Sequence, residues 1–262
     1  MTIRLSPEER LDDLLTHELK IVQSSEVFSF SLDAVLLARF CQVPARGKIM
    51  DLCSGNGVIP LLLSTRSKAQ IESVEIQERL WDMAKRSVDY NGLQSQINVR
   101  HGDLNHIDLS MENGCYDLVT VNPPYLPVPN GDQNVNAHIA AARHEIHCTL
   151  EDVIRVSSRL VKPGGRVAMV HRPARLADIM LLMRKYRLEP KRIRFVHPRK
   201  AEEANMLLIE ALRDGKPEIR LLPPLIVYED NNEYCEELLQ VYYGQTAELQ
   251  TEKESGKGEQ GA

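Results

Sequence analysis

The sequence lacks the features of membrane-spanning, secreted and disulfide-bonded proteins. It has no run of 18 or more apolar residues, so a membrane-spanning helix is excluded. Its first ten residues carry charges and a proline around no apolar centre, so a signal peptide is not expected. The five cysteines are scattered without a C-x-x-C pair, which disfavours a zinc site and a disulfide framework. We therefore expect a cytoplasmic protein with no bound metal and no membrane partner.

The net charge of −5 is distributed unevenly along the chain. Nine acids against two lysines lie from Glu229 onward, so the rest of the chain is net positive. The segment from Arg184 to Lys200 carries eight basic residues against one acid, Glu189. Such a segment can track the phosphates of a nucleic acid, or it can be a solvated helix end and edge strand.

Strand-like and helix-like stretches alternate along the chain, which is typical of an α/β fold with a mostly parallel sheet. The last two strands have no long helix between them, which predicts an antiparallel hairpin at the sheet edge. The sequence Lys162-Pro-Gly-Gly165 predicts a tight turn before the fifth strand. The predicted strands span 48–52, 71–76, 97–101, 116–121, 166–170, 191–196 and 206–211, and the predicted helices span 33–40, 58–64, 78–90, 150–160 and 175–186.

This pattern divides the chain into three parts. Residues 1–45 form an N-terminal segment that we expect to cover the functional site. Residues 46–243 form the α/β domain. Residues 244–262 are polar, acidic and almost free of apolar residues, so this tail is expected to be disordered.

A glycine-containing loop, Asp51-Leu-Cys-Ser-Gly55-Asn-Gly57, lies between a buried strand and a helix. Doubly wound folds bind nucleotides at such a unit, where glycines let the backbone approach the ligand closely. The loop is not G-x-G-x-x-G, because Pro60 stands where the third glycine would be. Asp51 would repel a pyrophosphate, whereas it would attract the ammonium and sulfonium groups of S-adenosylmethionine. The loop therefore predicts an S-adenosylmethionine site.

Two further acids follow the next two strands. Glu75 ends the second strand, at the distance from the loop where a carboxylate binds both ribose hydroxyls of a nucleoside. Asp103 ends the third strand and can accept a hydrogen bond from an adenine amino group. Three carboxylates at the ends of three successive strands predict a nucleoside-binding rim.

The tetrapeptide Asn122-Pro123-Pro124-Tyr125 directly follows the fourth strand. The Asn122 side-chain carbonyl and the Pro123 main-chain carbonyl can each accept one N–H of a planar exocyclic amine. This draws the nitrogen towards tetrahedral geometry and frees its lone pair to attack a methyl group. The prolines pre-set the backbone, and Tyr125 offers a face on which a base can stack. The hydrogen bonds strengthen as positive charge develops on the nitrogen, so no strong general base is required.

Taken together, these motifs resemble the class I methyltransferases that carry the N-P-P-Y signature. More narrowly, the sequence is similar to the bacterial tRNA1(Val) (adenine-N6)-methyltransferase family at Phe28–Leu37, Ala142–Glu145 and His171–Arg175. The resemblance implies a Rossmann-like fold, a seven-stranded mostly parallel sheet with one antiparallel strand and helices on both faces. It also implies S-adenosylmethionine as cofactor and tRNA as substrate, methylated at N6 of the adenine beside the valine anticodon.

The resemblance and the motifs define the candidate site residues. In the family the Phe28–Leu37 element closes over the methionine end of the cofactor, where Asp33 could pair with its ammonium group. The sequence departs from many relatives at Cys53, where they have glycine, and in its acidic overall charge. The candidate catalytic residues are Asn122, Pro123, Pro124 and Tyr125; the candidate cofactor-binding residues are Asp33, Asp51, Cys53, Gly55, Gly57, Glu75, Ile76, Asp103, Leu104 and Asn122; and the candidate RNA contacts are Phe28, Arg143, His144, Arg192 and Arg194.

Several alternative functions share the tetrapeptide. Protein glutamine N5-methyltransferases, which act on release factors, also methylate a planar amide nitrogen. Their helical domain before the glycine loop is hard to fit into the fifty residues that precede Asp51. Two further alternatives methylate an exocyclic amine in the same way. They are the ribosomal RNA guanine-N2 or adenine-N6 methyltransferases and the DNA adenine methyltransferases. A non-enzymatic RNA-binding module would not need an intact cofactor loop together with an intact tetrapeptide.

Overall fold

One mixed β-sheet organises the protein, and the computed structural model describes residues 3–27, 32–107, 113–125 and 148–243. The predictions for Phe28, Arg143, His144 and the tail 244–262 lie outside the described residues. The strands are β1 Glu9–Asp13, β2 Lys20–Ser24, β3 Lys48–Leu52, β4 Gln70–Glu75, β5 Ile97–His101, β6 Tyr116–Val121, β7 Val161–His171, β8 Leu188–His197, β9 Met206–Arg213, β10 Arg220–Leu221 and β11 Leu225–Ile226. The helices are α1 Leu32–Phe40, α2 Val58–Ser64, α3 Glu78–Tyr90, α4 Leu104–Ile107, α5 Leu150–Leu160, α6 Leu176–Lys185 and α7 Glu236–Tyr242, with a 3₁₀ turn at Pro173–Arg175.

The long strands follow the order β5-β4-β3-β6-β7-β9-β8 across the sheet. Only β9 among these seven runs antiparallel to its neighbours, β7 and β8. This confirms the predicted seven-stranded, mostly parallel sheet. The predicted hairpin is β8–β9, and β9 lies inside the sheet between β7 and β8. Two short strands, β10 and β11, add to the outer side of β8 in parallel.

The central strands are buried on both faces, because alternate side chains enter two different helical layers. On β3, Ile49 packs in the layer that contains α1 and α2, whereas Met50 packs in the layer that contains α5 and α6. On β6, Leu118 and Val119 divide in the same way. This two-sided burial explains why these strands read as apolar runs in the sequence.

The segment Lys162–Gly165 is not the turn that the sequence predicts. It lies inside β7 as an outward bulge, since Tyr116 on β6 pairs with Val161 and Leu118 pairs with Arg166. Gly164 adopts a φ of 75°, and a Cβ on Gly165 would lie 2.7 Å from the Val161 Cγ2 atom. The glycines therefore let one continuous strand bulge outward and return to its ladder.

The hairpin β1–β2 was not predicted from the sequence, and it packs against α3. Val22 and Val27 contact Leu80 and Met83 of this helix in a small apolar cluster. The hairpin is also tied to the helix by a hydrogen bond that the Val22 N–H donates to Ser87 Oγ at 2.9 Å. A two-stranded hairpin is marginal alone, so α3 stabilises it.

Within the ranges that the structure describes, no helix combines the length and the apolar character needed to cross a membrane. The same residues contain no group of three or more His, Cys, Asp or Glu side chains arranged to hold a metal ion. The five cysteines are all free thiols.

Candidate active site

A cavity of about 510 Å³ opens at the rim where the parallel strands end, which is a typical volume for a ligand site. Its walls come from the loops after β3, β4, β5, β6 and β7 and from the start of β9. Two predicted cofactor-binding residues, Asp51 and Gly57, do not line it. The predicted residues that do line it are Asp33, Cys53, Gly55, Glu75, Ile76, Asp103, Leu104, Asn122, Pro123, Pro124 and Tyr125.

Glu75 is fixed at this rim by main-chain hydrogen bonds. Its Oε2 atom accepts from Gly55 N–H at 2.8 Å, and its Oε1 atom accepts from Gln77 N–H at 2.9 Å. The side chain is buried, and this burial raises the pKa of the carboxyl. Each carboxylate oxygen can accept a further hydrogen bond, so both can receive the two hydroxyls of a ribose.

The glycine loop adopts left-handed backbone conformations at three positions. The φ angles are 57° at Cys53, 57° at Gly55 and 86° at Gly57. A Cβ on Gly57 would lie 3.0 Å from the Ala84 Cβ of α3, whereas a Cβ on Gly55 would meet nothing within 4 Å. Cys53 is therefore a non-glycine residue in a left-handed conformation, which costs about 1–2 kcal/mol. Glycine at position 57 permits close packing between the loop and α3.

Asp51 lies beneath the loop and is completely buried. Its Oδ1 atom accepts a hydrogen bond from the Thr120 hydroxyl at 2.6 Å. Its Oδ2 atom has no hydrogen-bond partner among the described residues. Burial raises the pKa of this carboxyl to about 7. A buried carboxyl without a counter-charge favours a cationic ligand above it, because such a ligand stabilises the ionised form.

Asp103 extends the rim beyond Glu75. Its Oδ1 atom accepts a hydrogen bond from Asn105 N–H at 2.8 Å, and its Oδ2 atom lies 3.3 Å from His106 Nδ1. The preceding Gly102 N–H donates to the Glu75 main-chain carbonyl at 3.0 Å. This contact brings the ends of β4 and β5 together, so that two carboxylates face one cavity. The arrangement suits a nucleoside whose ribose and base lie along the rim.

The tetrapeptide is held by its own tyrosine. The Tyr125 hydroxyl lies 2.6 Å from Asp33 Oδ2 and 2.5 Å from Asn122 Oδ1. Burial and the Asp33 carboxylate raise the pKa of Tyr125 well above its ordinary value, so the phenol stays neutral and donates one hydrogen. This contact ties α1 to the loop after β6. The Asn122 carbonyl has two lone pairs, so it can still accept an N–H from a substrate.

His171 and Arg172, at the end of β7, surround the other side of Tyr125. The buried His171 ring lies 5.1 Å from the Tyr125 ring, and the Arg172 guanidinium lies 5.8 Å from the same ring. Burial lowers the pKa of His171 to about 4, and its Nδ1 atom accepts from Arg172 N–H at 2.8 Å. The neutral imidazole therefore carries its proton on Nε2.

No role beyond family likeness was predicted for His171–Arg175. Asn205, Met206 and Cys148 also line the cavity without having been predicted. The available signal was topological, because residues that follow parallel strands reach the same rim as the tetrapeptide. Asn205 and Met206 lie at the start of the antiparallel strand β9. The start of an antiparallel strand reaches the rim where the parallel strands end, so the rule for parallel strands does not predict these two residues.

The burial of Arg192 and Arg194 corrects the prediction that these side chains contact RNA. Arg192 lies over the Phe40 ring at 4.9 Å, and its Nη1 atom is 3.4 Å from Glu210 Oε1. Arg194 donates to Glu237 Oε1 at 2.6 Å. The physical reason is that alternate residues of β8 face one layer, where α1 and α7 cover them. These two residues belong to the interior rather than to a phosphate-binding face.

The chain is similar to a known protein family and to named bacterial proteins. Residues 18–185 match the methyltransferase small domain. The chain is 29% identical over 182 residues to a tRNA1(Val) (adenine(37)-N6)-methyltransferase of Parabacteroides distasonis, covering 68% of this chain and 74% of that protein. It is 30% identical over 191 residues to the Porphyromonas gingivalis protein of the same name, covering 68% and 72%.

Solved structures share the fold at lower identity. An Agrobacterium tumefaciens protein described as a "predicted O-methyltransferase" superimposes with a TM-score of 0.65 at 23% identity, covering 82% of this chain and 97% of that one. The geranyl diphosphate C-methyltransferase of Streptomyces coelicolor gives a TM-score of 0.53 at 15% identity, covering 69% and 79%. These likenesses show that the described sheet shares its fold with both proteins.

Proposed function

The chain belongs to the methyltransferase small domain family, and we propose that it transfers a methyl group from S-adenosylmethionine to N6 of an unpaired adenine in tRNA. The observation that carries this proposal is the position of Asn122, which faces the same cavity as Glu75 and Asp103. A methyl acceptor held at Asn122 would therefore stand beside a nucleoside held by the two carboxylates.

The residues of the rim fit S-adenosylmethionine in charge and shape. Glu75 would bind the ribose hydroxyls and Asp103 the adenine amino group, while Ile76 and Leu104 would flank the base. The unpaired oxygen of buried Asp51 supports a positively charged ligand above the glycine loop. When bound, S-adenosylmethionine supplies an electrophilic methyl group on a sulfonium sulfur.

The N-terminal segment takes part in this site. Asp33 faces the cavity and accepts a hydrogen bond from the Tyr125 hydroxyl. We propose that residues 1–45 cover the cofactor and substrate sites through this contact, and that Asp33 also meets the cofactor's ammonium group. The carboxylate then connects the cofactor to the catalytic loop.

Asn122 and Pro123 align the reacting amine. The Asn122 side-chain carbonyl accepts one N–H of the exocyclic nitrogen and the Pro123 main-chain carbonyl accepts the other. Both contacts strengthen as the nitrogen gains positive charge, so they stabilise the transition state more than the ground state. The methylated nitrogen then loses a proton to water, because it is far more acidic than an alkylamine.

An adenine of the anticodon loop is the substrate that the relatives' names support. Proteins of Parabacteroides distasonis and Porphyromonas gingivalis are named for adenine 37 of tRNA1(Val). An adenine in that loop is already unpaired, so the enzyme does not have to open a duplex. Arg143 and His144 stay our proposed RNA contacts, and a tRNA substrate places the reaction in the cytoplasm.

Methyl transfer to tRNA tests the proposal. The purified protein is incubated with labelled S-adenosylmethionine and bulk tRNA from a strain that lacks the gene, and the nucleosides are analysed by mass spectrometry. We expect N6-methyladenosine, mapped to the anticodon loop of a valine tRNA. Label in ribosomal RNA or in a release-factor glutamine, with none in tRNA, would overturn the proposed substrate.

A further inference from the structure

The cavity has a second wall, opposite the carboxylate rim, that the proposed mechanism does not use. We infer that two residues of this wall contact the RNA nucleotide whose base is methylated: Asn205 binds its ribose and Arg172 binds a flanking phosphate. This inference rests on the proposed function and names two residues that would determine its specificity for RNA. We call Arg172, Asn205 and Met206 the β7/β9 wall.

The sheet register brings these residues beside the tetrapeptide. Val121 at the end of β6 pairs with Met169 of β7, and His171 of β7 pairs with Leu207 of β9. Arg172 therefore leaves the sheet next to the point where Asn205 and Met206 enter it. The wall and the tetrapeptide occupy adjacent positions on one rim, and all three wall residues line the cavity.

Arg172 supplies an available positive charge at the cavity. Its side chain is exposed and has no carboxylate within 4.0 Å among the described residues. Neighbouring arginines differ in this respect, since Arg175 pairs with Asp178 and Arg199 pairs with Glu202. The Arg172 backbone is fixed by the hydrogen bond from its N–H to the His171 ring. A guanidinium without a partner beside an aromatic ring is suited to a phosphate.

Asn205 supplies an unfilled acceptor. Its Oδ1 atom is buried and has no hydrogen-bond partner among the described residues, although its main-chain N–H donates to the Val196 carbonyl at 3.0 Å. An unpaired buried acceptor is unfavourable, and a ligand that donates a hydrogen to it removes that penalty. The missing partner is therefore a donor that enters through the cavity.

The cofactor's donors are already assigned to Glu75, Asp103 and Asp33, so the donor is sought by elimination within the adenosine nucleotide of the substrate. The exocyclic amine has two hydrogens, and the proposed mechanism assigns both to Asn122 and Pro123. The remaining donor of a nucleotide inside an RNA strand is the ribose 2′-hydroxyl, which distinguishes RNA from DNA. Asn205 Oδ1 therefore accepts from the 2′-hydroxyl, while Arg172 binds a flanking phosphate.

A comparison of variants and substrates tests the Asn205 contact. The substrates are two anticodon stem-loop RNAs that differ only in adenosine or 2′-deoxyadenosine at the target position. We expect the deoxy substrate to lower kcat/KM of the unaltered protein by about tenfold, as for the loss of one hydrogen bond. Asn205→Leu should lower kcat/KM for the adenosine substrate by a similar factor and should show no further loss with the deoxy substrate. Equal deoxy effects in both proteins would overturn the contact.

Salt dependence tests Arg172. For Arg172→Gln we expect weaker stem-loop binding and a slope of log K against log salt that is smaller by about 0.7, the value for one phosphate on a single strand. Arg46→Gln is the matched control, because Arg46 is exposed, has no carboxylate within 4.0 Å among the described residues and precedes β3 at the opposite end of the sheet, and Asn98→Leu is the control for Asn205. An unchanged slope for Arg172→Gln would overturn its assignment.

Two further readouts separate folding and function from this inference. S-adenosylmethionine affinity and thermal unfolding should change little in Arg172→Gln, because Arg172 lies away from Glu75 and Asp103 and its guanidinium makes no ion pair among the described residues. If the unaltered protein methylates RNA and both wall variants show the same kcat/KM and the same salt dependence, the RNA-binding role inferred for the β7/β9 wall is wrong while the proposed function stands. If the unaltered protein transfers no methyl group to any RNA, the proposed function fails first.

Discussion

The two sides of the cavity are built in opposite ways. On the carboxylate side, Glu75 is held by the N–H groups of Gly55 and Gln77, so main-chain geometry fixes it. On the β7/β9 side, Arg172 has no paired carboxylate and Asn205 has an unfilled acceptor among the described residues. The first side is therefore organised before any ligand arrives, whereas contacts with the ligand complete the second. Tyr125 and Asn122 lie between them.

The largest effect should come from the residue between the two sides. Asn122→Ala removes one of the two carbonyls that align the amine, and we expect kcat to fall by about 10²–10³-fold, as when a single transition-state hydrogen bond is deleted. S-adenosylmethionine affinity should stay within about twofold, since Glu75 and Asp103 are untouched. Rapid-quench methyl transfer and calorimetric binding measure the two quantities. Full turnover in this variant would show that Asn122 does not align the substrate.

The next effect should come from Asp51→Asn, which should raise the stability of the fold but lower the affinity for S-adenosylmethionine. Its pKa is raised from 3.8 to about 7 in the folded protein, so its ionisation destabilises the fold as pH rises through that interval. Asp51→Asn keeps an acceptor for Thr120 and should stabilise the protein at pH 8 by about 4 kcal/mol. The same change should weaken S-adenosylmethionine binding by about tenfold or more.

Chemical denaturation at pH 5 and pH 8 measures this prediction. The stability advantage of Asp51→Asn should grow from about 1.5 kcal/mol at pH 5, where the carboxyl of the unfolded chain is already ionised, to about 4 kcal/mol at pH 8. Cofactor affinity of the unaltered protein should rise with pH around 7, because a cation selects the ionised carboxyl. A constant stability difference across this range would contradict the raised pKa.

A smaller effect distinguishes two glycines of the same loop. Both Gly55→Ala and Gly57→Ala place a side chain in the left-handed region, which costs about 1 kcal/mol. Only the Gly57 methyl group also approaches Ala84, at 3.0 Å, so Gly57→Ala should lose about 1–3 kcal/mol more. Urea unfolding of the two variants measures this difference directly. Equal losses would mean that α3 yields to the added methyl group without cost.

The smallest effect should come from the Tyr125 hydroxyl. Tyr125→Phe keeps the ring but removes the hydroxyl, whose single hydrogen is shared between Asp33 Oδ2 and Asn122 Oδ1. We expect kcat to fall by about fivefold, in line with one net hydrogen bond, and Tyr125→Ala to lose more because the ring is lost as well. Stopped-flow or discontinuous methyl-transfer assays give the ratio. Identical losses in the two variants would count against a role for the ring.

The sequence predicted the central sheet well, because its strands are apolar runs that end at recognisable loops. β5, β6 and α5 have the predicted bounds, and β3 and α3 do as well. The hairpin β1–β2 escaped prediction since its strands are short and charged, and its turn has left-handed residues at Leu15, His17 and Glu18. A sequence pattern does not reveal a turn of this kind when its left-handed residues are not glycine.

The candidate site was predicted unevenly, for reasons that lie in the fold. Asp51 follows the rule that acids end parallel strands, but its side chain points under the loop instead of into the cavity. Arg192 and Arg194 read as a basic surface because composition cannot show that α1 and α7 cover this face of β8. Asn205 was invisible because its importance arises from an unfilled acceptor, which only coordinates can reveal.

The short strands along β8 also have a consequence for how copies of this chain meet at high concentration. An uncovered edge strand presents a row of free N–H and C=O groups that can recruit another strand. Here β10 and β11 pair with Arg192–Ile193 and Val196–His197, and the intervening Pro223 and Pro224 have no N–H to donate. The sheet cannot grow by strand addition along the part of β8 that they cover.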